Sequence, residues 1–166
     1  MSAAAHTTTL VPGATVFVSG SRSIAQLDAP VAQRLANIVT QGMPVVIGDA
    51  HGADAAVQAY LARAEHRDVT VFCAGARCRN NVGAWQVTRI RVDPSVKGRA
   101  FYTQKDKAMA GEADYGFVLW DGRSAGSLAN MRELLGLRKR VLVYLAPDRR
   151  FFVLGDPADL RALLRR

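Results

Sequence analysis

Short apolar runs alternate along the chain with longer stretches in which apolar and polar residues recur at helical spacing. The runs predict strands at about 15–19, 44–48, 69–74, 115–120 and 140–146, and the stretches predict helices at about 28–41, 52–64, 101–112 and 125–137. Because the strands are apolar at successive positions, we expect both faces of the sheet to be covered. This alternation predicts a parallel sheet with right-handed crossovers.

Two segments depart from the alternation. Residues 75–99 form the longest irregular stretch, and a loop of this length in a compact domain is usually a lid or a binding loop unless it is disordered. After Leu145, the sequence predicts a short strand, FFVL, and a last helix with Asp156 as its N-cap and Pro157 at its first position.

These elements predict one α/β domain. We expect a single-domain Rossmann-like fold over residues 14–166, with a doubly wound parallel sheet in a three-layer α/β/α arrangement. The long loop at about 75–99 and a C-terminal strand–helix extension at about 150–166 belong to this domain, and residues 1–13 are expected to form a flexible tail.

The composition is that of a soluble globular protein, with 49% hydrophobic and 22% charged residues among 166. No apolar run reaches the roughly 18 residues that span a bilayer, and the N-terminus lacks the features of a signal peptide, so we expect a cytoplasmic protein without a membrane partner. The two cysteines, Cys73 and Cys78, have no further metal-ligand pair nearby. We therefore expect no metal, no redox role and no resident cofactor.

The net charge of +8 raises the question of nucleic-acid binding. The basic residues crowd the C-terminal part without an interleaved aromatic platform, so a solvated basic face is the favoured interpretation and nucleic acid is a disfavoured partner. These residues are Arg138, Lys139, Arg140, Arg149, Arg150, Arg161, Arg165 and Arg166.

Three predicted strands end in sequences rich in glycine, hydroxyl and acidic residues. Ligands of open α/β sheets bind beyond the carboxyl ends of the strands, where glycines permit close approach and helix N-termini favour anions. The three junctions therefore predict a phosphate-bearing ligand. The candidate ligand-binding residues are Gly20, Ser21 and Arg22 after the first strand, Gly48, Asp49, His51, Gly52, Ala53 and Asp54 after the second, and Asp121, Gly122, Ser124, Gly126 and Ser127 after the fourth.

Particular roles follow from the chemistry of these side chains. Arg22 could pair with phosphate, and Asp49, Asp54 or Asp121 could accept hydrogen bonds from ribose hydroxyls. A general-base role for His51 is a further alternative. The structural alternative is that the carboxylates and serines only cap helices and that the glycines only form tight turns.

The familiar catalytic and phosphate-binding motifs give little support to other classes of enzyme. The sequence contains no G-x-x-x-x-G-K-[ST], and no G-x-G-x-x-G follows the first strand, which disfavours Walker-type NTPases and ordinary dinucleotide dehydrogenases. Residues 122–126 match G-x-S-x-G, but no histidine follows Ser124 to serve as its base. A serine hydrolase is therefore disfavoured.

The three junctions resemble motifs of the SLOG superfamily of Rossmann-like nucleotide-binding domains, and most closely its YpsA-related branch. The resemblance covers about residues 14–146. It implies a nucleotide or nucleotide-derived ligand, such as an ADP-ribose-like molecule, held by a sensor or carrier, and it implies a homodimer to which the helices at about 52–64 and 125–137 contribute. The matching residues are Gly20-Ser21-Arg22, then Gly48, Gly52 and Asp54, and last Trp120-Asp121-Gly122, Ser124, Gly126 and Ser127.

The chain is more distantly similar to the cytokinin-activating phosphoribohydrolases, also called lysine-decarboxylase-like proteins. Their motif P-G-G-x-G-T-x-x-E ends in a catalytic glutamate, where this chain has Asn130, and Glu133 follows one helical turn later. This similarity implies an alternative function, N-glycosidic hydrolysis of a nucleoside monophosphate, with Asp49, Asp54, Asp121 or Glu133 replacing the glutamate. Where the family has an R-N pair on the middle helix, Lys105 or Gln104 could substitute. Single-stranded nucleic-acid binding is the second alternative.

Overall fold

The computed structural model describes residues 13–166 of the chain, and its regular elements form one sheet flanked by helices. The strands are β1 (Val16–Gly20), β2 (Val45–Gly48), β3 (Val69–Ala74), β4 (Gln86–Ile90), β5 (Tyr115–Trp120), β6 (Val141–Leu145) and β7 (Arg150–Leu154). The helices are α1 (Ala29–Thr40), α2 (Ala53–Arg63), α3 (Arg99–Glu112), α4 (Ala125–Gly136) and α5 (Pro157–Leu164), with a 3₁₀ turn at Ala146–Asp148.

The seven strands are ordered β4-β3-β2-β1-β5-β6-β7. All neighbouring strands are parallel except β6 and β7, which are antiparallel. The chain builds the sheet outward from β1 to β4 and then resumes on the other side of β1 with β5. The strand order therefore reverses between β1 and β5, which is the position where open α/β sheets bind ligands.

Helices cover both faces of the sheet. In β1, Val16 and Val18 contact the core beneath α1 and α2, whereas Phe17 contacts the core beneath α3, α4 and α5. This alternation explains why the strands are apolar at successive positions. The predicted Rossmann-like, three-layer α/β/α fold is confirmed.

Most predicted elements agree with the structure to within one or two residues. The last helix begins as predicted, because the Asp156 side chain accepts a hydrogen bond from the Asp159 amide at 2.9 Å and Pro157 occupies the first turn. The structure differs at residues 86–90, which the sequence predicts as part of the long loop and which form the edge strand β4. Of the predicted tail, residues 1–12 lie outside the described part of the chain.

The connection from β3 to β4, here called the β3–β4 crossover (residues 75–85), contains no helix. It returns the chain to the amino end of the sheet, where the Trp85 indole N–H donates to the His66 carbonyl at 2.9 Å. A disulfide joins Cys73 in β3 to Cys78 in the crossover, a pairing that the sequence analysis does not predict.

Within residues 13–166, no helix combines the length and apolar character that a membrane span requires.

Candidate functional site

A cleft of about 560 Å³ opens at the carboxyl ends of β1 and β2, beside the first turns of α3 and α4. Its walls come from five parts of the chain that are distant in sequence. Ser19 and Gly20 of β1 contribute one side, Asp54 another, and Arg79 comes from the β3–β4 crossover. The remaining wall is formed by residues at 98–107 and 124–133. The cleft therefore lies next to the reversal of strand order.

The N-terminus of α4 faces this cleft. Ser124 is its N-cap, and the Ser124 hydroxyl accepts a hydrogen bond from the Ser127 amide at 3.3 Å. The first N–H groups of a helix have no intrahelical partner, and those here belong to Ala125 and Gly126, which line the cleft. Since the first turn of α4 contains no acidic residue, this helix end favours an anion.

Asp121 fixes the turn that leads into α4. One carboxylate oxygen accepts from the amides of Arg123 at 2.8 Å and Ser124 at 2.7 Å, and the other accepts from the Ser23 hydroxyl at 2.7 Å. Desolvation opposes ionisation, but these hydrogen bonds outweigh it and lower the pKa of Asp121 to about 2. Gly122 adopts a φ of +82° in the same turn. Neither residue lines the cleft, so their role in the structure is to position α4.

Ser21 connects the ends of β1 and β5. Its hydroxyl accepts from the Asp121 amide at 3.0 Å and lies 3.3 Å from the Ser127 hydroxyl, fully buried. Gly20, directly before it, lies against Ala53, so closely that a side chain at position 20 would overlap the Ala53 methyl group. Ser127 and Gly20 line the cleft, whereas Ser21 and Ala53 support its floor.

The turn before α2 differs from the predicted phosphate-binding turn. The Ala53 amide donates to the Ser21 carbonyl at 3.2 Å, and Gly52, with a φ of +78°, lies directly against the backbone of Arg22. Asp54 adds a carboxyl group to the first turn. The N-terminus of α2 is thus occupied by the protein's own groups, and α4 offers the better anion site.

His51 also differs from its predicted place beside the ligand. The ring is exposed and does not line the cleft; its Nδ1 lies 3.5 Å from the side-chain amide of Asn80. Arg22, by contrast, lines the cleft and is exposed, as a phosphate-pairing side chain should be.

Asp49 lies beneath the cleft between two cations. Arg79 donates to it from the backbone and from the guanidinium, each at 2.8 Å, and Lys105 Nζ lies 3.2 Å from the same carboxylate. Burial by itself would raise the pKa of Asp49, but the hydrogen bonds from Arg79 and the charges of Lys105 and Arg79 lower it below its ordinary value. Asp49 is therefore an ionised structural partner of these cations.

Asp54 has a different environment, although its side chain is also buried. It lines the cleft, and one of its oxygens accepts from the Ala50 amide at 3.1 Å. Burial raises its pKa to about 7, and the nearby charge of Lys105 offsets only part of this effect. Gly48 makes room for the pair, because a Cβ at position 48 would lie 2.7 Å from an Asp54 oxygen and 2.9 Å from Lys105 Nζ. Asp54 can thus exchange a proton near neutral pH.

The sequence did not single out Arg79 and Tyr102, which meet in the cleft. The Arg79 guanidinium carbon lies 4.2 Å from the centre of the Tyr102 ring. On the same helix, Lys105 rather than Gln104 lines the cleft, and its side chain is only 3% exposed. The only signal in the sequence was the length of the loop that contains Arg79.

Asn130, at the position of the hydrolase glutamate, is buried and donates to the Ser19 hydroxyl at 2.8 Å. Glu133 also lines the cleft. None of the C-terminal basic residues does. Two of them, Arg150 and Arg166, instead lie over the Phe152 ring at 5.2 and 4.7 Å from its centre.

Asp49, Cys73 and Cys78 are the one group within residues 13–166 whose potential metal-ligand atoms converge, all within 4.8 Å of one another. The sulfurs are joined to each other, and the carboxylate is held by Arg79 and Lys105. Metal binding requires thiolates and a free carboxylate, so this arrangement does not fit a metal ion.

Comparison with protein-family models, curated proteins and solved structures produced no match for this chain.

Proposed function

We propose that the cleft binds a nucleotide or a nucleotide derivative, such as an ADP-ribose-like molecule, and that the protein acts as a sensor or carrier of this ligand. The observation that carries the proposal is the N-terminus of α4, with no acidic residue in its first turn, facing a cleft beside the β1–β5 reversal. This is where α/β proteins place ligand phosphates.

The charges around the cleft support a phosphate ligand. Arg22, Arg99 and Lys107 are exposed cations on its rim, and Lys105 lies deeper. The opposing carboxyl groups are Asp54, Asp106 and Glu133, and burial raises the pKa of both Asp54 and Asp106. Protonation of Asp54 and Asp106 removes negative charge from the cleft. The net charge of the cleft therefore favours anions most strongly at or below neutral pH.

The other surfaces of the cleft suit the rest of a nucleotide. Asp54 and Asn130 offer polar groups for a sugar, and the Tyr102 ring and the neighbouring Arg79 guanidinium offer a surface for a base. Asp49 and Asp121, which we considered as ribose acceptors, are engaged by other protein groups and do not line the cleft.

Gly126 provides the sharpest test of the proposed phosphate site. A Cβ at this position would have only the Ser124 hydroxyl as a neighbour within 4 Å, at 3.9 Å, so the Cβ of a larger residue fits without rearrangement. Gly126→Asp places a carboxylate at the helix end, and Gly126→Asn is the neutral control of nearly equal size. We expect calorimetric titration with ADP-ribose to give at least tenfold weaker binding for the aspartate variant than for the asparagine variant, a difference of about 1.4 kcal/mol or more.

A remote control separates this local effect from a change of net charge. Gly136 ends the same helix, and a Cβ there would meet no atom within 4 Å. Gly136→Asp should therefore bind ADP-ribose as the natural chain does. Equal affinities for the aspartate and asparagine variants at position 126 would refute the phosphate position, and failure of the natural chain to bind any nucleotide would refute the function.

The protonation behaviour of Asp54 favours one second candidate, N-glycosidic hydrolysis of a nucleoside monophosphate. A general acid or base works best when its pKa is near the working pH, and burial raises the pKa of Asp54 to about 7. Of the other carboxylates considered, Asp49 and Asp121 are held ionised by hydrogen bonds, while Glu133 lines the cleft.

The two candidates differ in whether the ligand is consumed. Purified protein incubated with AMP should release adenine if it is a hydrolase, and Asp54→Asn should abolish the release. Intact AMP after prolonged incubation, together with measurable binding, would favour the sensor. The homodimer stays a prediction, and because α2 and α4 cover opposite faces of the sheet, each helix would offer a separate contact surface.

A further inference from the structure

The Cys73–Cys78 disulfide links a rigid strand to the segment that enters the cleft. Cys73 belongs to β3 and is fully buried, whereas Cys78 lies half-buried in the β3–β4 crossover. The two cysteines are five positions apart, so the disulfide closes a short loop at the carboxyl end of β3. This loop ends at Cys78, the residue directly before Arg79.

Arg79 is the point where this loop meets the cleft. Its amide donates to one oxygen of Asp49, its guanidinium donates to the other, and its side chain lies over Tyr102. Lys105, which lines the cleft, shares the Asp49 carboxylate. A displacement of Cys78 therefore changes the position of one cation and the charge environment of another.

Hydrogen bonds hold the crossover on the other side of Arg79. The Asn80 side-chain amide donates to the carbonyls of Asp49 at 3.0 Å and Ala50 at 3.2 Å, and Gln58 donates to the Asn80 carbonyl at 3.3 Å. Arg79 thus lies between a covalent anchor at Cys78 and a set of hydrogen bonds at Asn80. Opening the disulfide releases the first anchor and retains the second, so the expected change is local.

We propose that Cys73 and Cys78 form a reversible thiol–disulfide switch that sets how firmly Arg79 is held at the cleft. The part of this proposal that concerns ligand affinity rests on the proposed nucleotide-binding function. In the oxidised form Arg79 is fixed beside Asp49 and Tyr102. In the reduced form residues 75–79 gain freedom, and the ligand must then order them when it binds, which weakens binding.

The chemistry is ordinary thiol–disulfide exchange with a small dithiol or with a low-molecular-weight disulfide. A thiolate of the dithiol attacks the sulfur of Cys78, the more accessible of the two, and Cys73 leaves as a thiolate that takes up a proton. The second thiol of the reductant then displaces Cys78 and closes its own disulfide. Two electrons and two protons pass to the protein, and a small disulfide reverses the reaction by accepting them.

The test compares the oxidised and dithiothreitol-reduced forms of the full chain in a buffer that contains EDTA. Alkylation followed by mass spectrometry counts the free thiols, of which the reduced protein should have two. Hydrogen exchange should show the Arg79 amide exchanging at least tenfold faster after reduction, because its bond to Asp49 opens more often. Calorimetry should show three- to tenfold weaker binding of ADP-ribose.

The double variant Cys73→Ala/Cys78→Ser is the matched control, since the chain contains no other cysteine. It should resemble the reduced natural chain and should not respond to dithiothreitol. Because reduction is applied to the natural chain, the test stands even if this variant fails to fold.

Each outcome decides a different part of the proposal. A disulfide that resists reduction in the folded protein, or an Arg79 amide whose exchange is unchanged by reduction, would overturn the switch. Faster exchange with equal affinities would overturn its coupling to the ligand. Faster exchange in a protein that binds no nucleotide in either form would leave the switch in place and overturn the proposed function instead.

Discussion

Arg79 binds Asp49 with both its backbone and its side chain, at 2.8 Å in each case, although the two residues are 30 positions apart. This pair joins the β3–β4 crossover to the turn after β2. Because Asp49 is buried and shared with Lys105, the pair also determines the charge beneath the cleft.

Replacement of Arg79 should destabilise the protein. Arg79→Ala removes the guanidinium donors and leaves Asp49 with the backbone amide and Lys105, so we expect a loss of about 1–3 kcal/mol in the free energy of unfolding, measured with urea. Arg77 is an exposed arginine two residues earlier. Arg77→Ala should change the same quantity by less than about 0.5 kcal/mol. Equal effects of the two substitutions would contradict the role of the Arg79–Asp49 pair.

Asp54 should make stability fall as pH rises toward neutrality. Its ordinary pKa is near 4, and burial raises it to about 7 in the folded protein. Between these values the folded state holds a proton that the unfolded state has released, so the free energy of unfolding decreases with increasing pH. Asp54→Asn removes this decrease.

Urea unfolding at pH 5 and pH 8 measures the Asp54 effect directly. From pH 5 to pH 8, the free energy of unfolding of the asparagine variant should rise by about 2–3 kcal/mol relative to that of the natural chain. Each unit of pKa shift corresponds to about 1.4 kcal/mol. Asp68 is exposed, and Asp68→Asn is the control for the loss of one surface carboxylate. A pH-independent difference between Asp54→Asn and the natural chain would show that the Asp54 carboxyl ionises normally.

Gly48 should tolerate no side chain, because Asp54 and Lys105 occupy the space over its Cα. Gly48→Ala places a methyl group 2.7 Å from Asp54 and 2.9 Å from Lys105, and we expect it to cost about 1–3 kcal/mol through overpacking. Gly111, in α3, has no neighbour within 4 Å of a Cβ. Gly111→Ala should stabilise the helix by about 0.5–1 kcal/mol, so thermal unfolding should shift in opposite directions for the two variants.

Asp121 should contribute to stability at neutral pH and lose this contribution in acid. Asp121→Ala leaves the amides of Arg123 and Ser124 without their acceptor, at an expected cost of about 1–2 kcal/mol at pH 7. The hydrogen bonds lower the pKa of Asp121 to about 2, so the contribution is present above its ordinary pKa near 4 and declines as pH falls toward 2. Urea denaturation at pH 7 and pH 2.5 should therefore show that Asp121→Ala lowers the free energy of unfolding less in acid than at neutral pH. An equal loss at both pH values would show that the substitution acts through lost packing alone.

Local sequence was sufficient for most of the fold because the buried strands and helices have strong apolar patterns. Strand β4 escaped prediction since QVTRI is half-exposed at the edge of the sheet, where its alternating pattern is weak. The rule that ligands bind beyond the carboxyl ends of parallel strands identified Gly20, Ser124 and Gly126 on the cleft.

The remaining parts of the candidate site depend on tertiary contacts that no local pattern contains. Arg79 reaches the cleft because the crossover folds back across the turn after β2, and Lys105 is buried because α3 covers Gly48. The turn before α2 has the composition of a phosphate-binding turn, yet the Ser21 carbonyl and the Arg22 backbone occupy it. Sequence could identify the residue types in this turn but not the groups that fill it.

The connection between β4 and α3 has a consequence for engineering. Residues 93–95 and 97 are exposed, and this connection separates the part of the chain that supplies Asp54 and Arg79 from the part that supplies Lys105 and Ser127. A chain severed within 93–97 would divide the cleft between two polypeptides, each incomplete by itself. A ligand that contacts both would favour their reassembly, so the two fragments could serve as a split reporter of ligand concentration.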